Sequence, residues 1–126
     1  MLRSLKWGSL GLVFGLIATA GASLAAGAFD GTYVGPQRET KNNNSGYCRN
    51  VTHDNAKLVV ADGVAKYTWG GKLMEAPVKP DGTFYLLTDG FRGGASWELK
   101  GRIVGGNLEA DVGNTVCAAH MSLKKP

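Results

Sequence analysis

The clearest pattern in the chain is an alternation. From Trp97 to Val104, Trp97, Leu99, Gly101 and Ile103 fall on one side, and Glu98, Lys100 and Arg102 on the other. After Gly105-Gly106 the pattern resumes, with Leu108, Ala110 and Val112 set against Asn107, Glu109 and Asp111. A period of two with one polar side is the signature of antiparallel strands that have one wet face. The double glycine between them suits a two-residue hairpin, whose central positions need positive φ. Across that turn Lys100 and Arg102 face Glu109 and Asp111, opposite charges that help to fix register. The same alternation sets Ala65, Tyr67 and Trp69 on one side, then Met74, Ala76 and Val78, then Cys117, Ala119, Met121 and Leu123.

Turn signals divide these runs. Asp-Gly occurs at 30–31, 62–63, 81–82 and 89–90, and Gly-Gly at 70–71, 93–94 and 105–106. Most intervals suit short strands joined by hairpins, and nothing after Ala28 has a helical apolar period. The predicted strands are Thr32–Gly35, Tyr47–Ala61 with a bend or bulge at His53-Asp54-Asn55, Val64–Trp69, Lys72–Val78, Thr83–Thr88, Ser96–Val104, Asn107–Val112 and Val116–Leu123. The fold class is all-β, a small antiparallel up-and-down barrel of about eight strands, with a β-sandwich as the alternative.

The two cysteines, Cys48 and Cys117, support that closure. Two cysteines in an exported chain read as one disulfide. Linking an early strand to the last one requires the two ends of the meander to meet. Export itself is read from residues 1–28. Arg3 and Lys6 precede the uncharged run Leu10–Ala22, and small residues end at Ala26-Gly27-Ala28, the pattern of a signal peptide. Residues 29–126 are then a single β-barrel domain, secreted or periplasmic, with no membrane association after cleavage. Losing Arg3 and Lys6 lowers the net charge from +4 to +2. The remaining basic residues are scattered, with no stripe of interleaved aromatics, so nucleic acid is not an expected partner.

Candidate chemistry is sparse. His53 and His120 are the only histidines, and Ser122 and Asp54 lie near them, yet no serine sits in a nucleophile-elbow frame. No metal-ligand spacing and no cofactor motif is present, and a non-enzymatic binding protein is the expected class. A small apolar or aromatic ligand inside the barrel would be lined by Tyr67, Trp69 and Trp97, with alanines and Gly101 making room between aromatic walls. Alternatively, a protein partner would meet two loops. Residues 37–46 are long, polar and asparagine-rich, and residues 89–95 carry Phe91 and Arg92 among glycines, residue types that anchor interfaces.

Two groups of small exported barrels share fragments with this chain. The meander, the size and Trp97–Gly106 resemble avidin-like proteins, but their opening Trp-x-Asn is missing and Tyr33 stands in its place. A disulfide from an early to a late strand resembles the small periplasmic lysozyme inhibitors, whose inhibitory loop Gly93-Gly94-Ala95-Ser96 does not reproduce. Neither resemblance places the chain in a family.

Overall fold

The computed structural model describes residues 27–43, 48, 51–89 and 96–126. Eight strands follow one another: β1 (Gly31–Asn42), β2 (His53–Ala61), β3 (Val64–Trp69), β4 (Lys72–Pro77), β5 (Thr83–Thr88), β6 (Trp97–Val104), β7 (Asn107–Gly113) and β8 (Cys117–Lys124). All belong to one antiparallel sheet in the order β4-β3-β2-β1-β8-β7-β6-β5. The sheet curls until its end strands β4 and β5 meet at the single bridge Val78–Phe84, leaving a nearly closed barrel. A two-sheet sandwich is therefore set aside in favour of the barrel. Pairing of the first strand with the last closes the meander, as the cysteine positions implied.

The alternation read from the sequence is the inside–outside rule of this barrel. Tyr33, Leu58, Ala65, Met74, Phe84, Leu99, Ile103, Leu108, Met121 and Leu123 are all buried in one core cluster. Packing is close enough to dictate side-chain size. Phe84 lies opposite Gly101 in the ladder, and a Cβ at Gly101 would come within 2.4 Å of the Phe84 ring. Such an approach is far inside any real contact, so the glycine is there to admit the ring. The hairpin glycines Gly70, Gly71, Gly105 and Gly106 all have positive φ, as two-residue turns require.

Two expectations need correction. β1 does not end at Gly35 but runs to Asn42, so residues 37–42 of the expected polar loop are strand. Their polarity misled because Arg38–Asn42 are exposed on both sides of the strand, so no inward apolar alternation marks them. β1 has a neighbour on each side, β2 and β8, and ladder bonds from both hold it extended. β2 in turn starts at His53, since Val51 and Thr52 before it are not strand, and Cys48 and Val51 are buried outside any strand; Tyr47, Arg49 and Asn50 of the expected strand lie outside the described residues. The bulge expected at His53-Asp54-Asn55 is present: register slips by one residue between Gly35–Ala56 and Gln37–His53.

Cys48 and Cys117 form a disulfide across 69 residues of sequence, with Cα atoms 5.4 Å apart. It fastens the segment after β1 to the start of β8, and a formed disulfide fits an oxidising compartment. Among the described residues no helix is long and apolar enough to cross a membrane. Residues 1–26, which carry most of the signal-like segment, lie outside the described residues.

Candidate functional site

The three residues proposed to line a ligand cavity sit together at the inner face. Tyr67 and Trp69 belong to the buried core, and Trp97 packs partly buried against it. Trp69 and Trp97 meet edge to face, with ring centroids 6.5 Å apart and planes at 86°. Such pairs gain from the positive edge of one ring meeting the negative face of the other. Trp97 also lies over Gly70, whose added Cβ would stand 3.2 Å from the indole. The Tyr67 hydroxyl donates to Gln37 Oε1, and Gln37 Nε2 donates to the Val51 carbonyl at 2.7 Å. Gln37 is only 1% exposed, and both ends of its amide are matched. Burial pushes the Tyr67 phenol up from its ordinary range. Sequence reading missed Gln37 by placing it in a loop. The available signal was Tyr67 itself, because an inward hydroxyl needs a buried partner.

The outer face offers a different arrangement. Leu87, Glu98, Gly113, Ala118 and Lys41 stand directly opposite one another on five adjacent strands. The two small residues in the middle of this row leave a groove of about 450 Å³. Gly113 is required there, since a Cβ would come within 2.3 Å of the Cys117 carbonyl oxygen. Leu87 is 60% exposed at one end of the row, and Lys41 is exposed at the other. The groove therefore links the two regions singled out as loops. Lys41 belongs to 37–46, and Leu87 and Ser96 flank 89–95. Phe91 and Arg92 lie outside the described residues. No sequence pattern shows this groove, because the row exists only through the register of five strands.

One residue of the groove's lining, Asp111, also belongs to a charged cluster on the outer face. Asp111 lies opposite His120 in the β7–β8 ladder, and Glu109 lies opposite Ser122. The His120 ring places Nδ1 2.8 Å from Asp111 Oδ1 and Nε2 2.9 Å from Glu109 Oε1. Ser122 donates to the same Glu109 oxygen at 2.8 Å. The hydrogen bonds to Glu109 and Asp111 raise the His120 pKa above its ordinary 6.5. The bond from His120 in turn holds the Glu109 carboxyl below its ordinary 4.5. The register does bring Lys100 opposite Asp111 and Arg102 opposite Glu109, as read from the sequence. Both carboxylates nevertheless turn to the other neighbouring strand and meet the histidine.

The serine, histidine and carboxylates of a hydrolytic triad are thus close, but wired differently. Ser122 is bonded to the carboxylate and not to the imidazole, and both imidazole nitrogens face carboxylates. A base with no free nitrogen cannot take a proton from that serine. His53 lies apart at the start of β2, where its carbonyl accepts from Arg38 at 2.9 Å. Comparison of the chain with protein-family models, with curated proteins and with solved structures finds no match.

Proposed function

We propose that this is an exported, non-enzymatic binding domain that engages a protein partner through the outer-face groove of β5–β8. The observation that carries the reading is the row Leu87–Glu98–Gly113–Ala118–Lys41. It combines an exposed leucine, a small-residue trough and a charge at each side. A recess lined by an apolar anchor and rimmed by polar groups is the local anatomy of an interface. Tyr85 is 49% exposed on the same outer side of β5, and its hydroxyl donates to Glu98 at 2.8 Å, extending the patch. The alternative, a small ligand within the barrel, draws its support from the partly exposed Trp97. Against it weighs the commitment of the other two residues: Tyr67 is bonded to Gln37, and Trp69 is packed into the core.

The test is site-specific photo-crosslinking in the native host, with a benzophenone side chain at position 87. Val104, 62% exposed elsewhere on the barrel, serves as the control position. A discrete adduct from position 87 and not from 104, lost when Ala118→Phe fills the trough, supports the groove. Equal adducts from positions 87 and 104, or none, would count against it. Native mass spectrometry of the same material separates the alternative. Extra mass that leaves on denaturation points to the barrel interior.

A further inference from the structure

The barrel wall is split between β2 and β3. Their hairpin is joined at Ala61–Val64, Val60–Ala65 and Val59–Lys66, and the ladder then stops. In an antiparallel ladder every second pair exchanges both backbone hydrogen bonds. Closure of the hairpin at Ala61–Val64 makes Val59–Lys66 the next such pair, and Lys57–Thr68 the one after. That pair is not joined. The cause lies on the other side of β2. The bulge at 53–55 turns its first residues toward β1. Arg38 holds them there, through the His53 carbonyl and the Asp54 carboxylate, both at 2.9 Å. The result is an open cleft of about 630 Å³ on the outer face.

We propose that this split is a docking slot for an extended, acidic segment of a partner protein. The segment lies along the parted strands and takes up the backbone groups that Lys57 and Thr68 leave unjoined. Two independent features of the cleft carry this. Unpaired strand edges are templates for an added strand, which brings main-chain hydrogen bonds. The charge is one-sided: Lys57 and Lys66 line the cleft and no carboxylate does. Glu75 is opposite Lys66 in the β3–β4 ladder but is not among the lining residues. Leu73, 55% exposed at the rim, offers an apolar contact to alternate side chains of the incoming segment. The site is separate from the β5–β8 groove and does not depend on it.

The experiment follows amide exchange by NMR in the intact domain. The probes are acetyl-Val-Glu-Val-Glu-Val-amide, its lysine counterpart, and the acidic peptide N-methylated at alternate amides. At ten times its Kd the acidic peptide should slow exchange at Lys57 and Thr68 by about tenfold, since only the free fraction opens. The N-methylated peptide should lose that protection. A Lys57→Glu, Lys66→Glu variant should lose the acidic peptide and gain the lysine one. The proposal is overturned if the lysine peptide protects the wild-type amides equally. It is also overturned if N-methylation changes nothing, or if no peptide alters those two amides.

Discussion

Tyr67 brings a hydroxyl into an apolar interior, and Gln37 receives it there. Replacing Gln37 with leucine would leave two buried groups unmatched, the Tyr67 hydroxyl and the Val51 carbonyl. A loss of about 1–3 kcal/mol follows for each unmatched group, read from urea denaturation. Tyr67→Phe strands only the Gln37 oxygen, so it should cost less than Gln37→Leu. Gly101→Ala makes a different argument. The new methyl meets Phe84, Ala110 and a backbone oxygen within 2.8 Å, and overpacking of this kind costs about 1–3 kcal/mol. His120 gives a pH dependence of defined sign. Its raised pKa means that its stabilisation is complete below the unfolded value near 6.5 and is lost as pH rises through the folded value. Glu109, held low, contributes above its unfolded value near 4.5 and loses that contribution as pH falls through the folded one. The cluster therefore stabilises most between the two, and His120→Gln should flatten the alkaline limb of a stability–pH curve. Both side chains are well exposed, so the limbs are shallow at high salt.

At the scale of elements, alternation and turn chemistry made most of the fold legible. β3 and β5 have the predicted limits, β4, β6 and β7 differ from them by a residue at one end, and β8 by a residue at each end. The reason is physical: each inward side chain must be apolar and each two-residue turn needs positive φ, and both leave a mark in the sequence. β1 escaped because Gln37–Asn42 carries no such mark. Its strand character comes from neighbours distant in sequence. The outer-face sites were hidden for the same reason. Tyr67, Trp69 and Trp97 could be placed on the inner face, but a groove made by Gly113 and Ala118 depends on register across five strands. So does the His120 cluster, half of which was read as facing β6. A matching prediction concerns Ala118. It lies on the outer face between Gly113 and Lys41, so Ala118→Phe should leave the unfolding free energy within about 0.5 kcal/mol of wild type, read from urea denaturation, while filling the groove.

At the scale of the whole molecule, the disulfide is the largest single covalent constraint. In the chain-entropy account, a loop of this length is worth roughly 4 kcal/mol, less any native strain. Replacing Cys48 and Cys117 with serine should lower stability by about 2–4 kcal/mol and leave the β-sheet circular dichroism intact at low temperature. A barrel that failed to form at all would mean that the ladders alone do not hold β1 to β8.

The way the circle is closed has a consequence for cutting the chain. Between β1 and β8 there is no direct chain connection, and the ladder hydrogen bonds, with the disulfide beside them, close the gap. Between β4 and β5 there is one bridge, and the covalent connection does most of the closing. A protease nick at Gly105-Gly106 would fall in a hairpin whose strands stay zipped by seven paired positions, so the fragments should remain associated. A nick at Asp81-Gly82 would remove the tie across the seam, and the barrel would uncurl toward an open sheet. Of two cuts at equally ordinary turns, one would be a scar and the other a hinge.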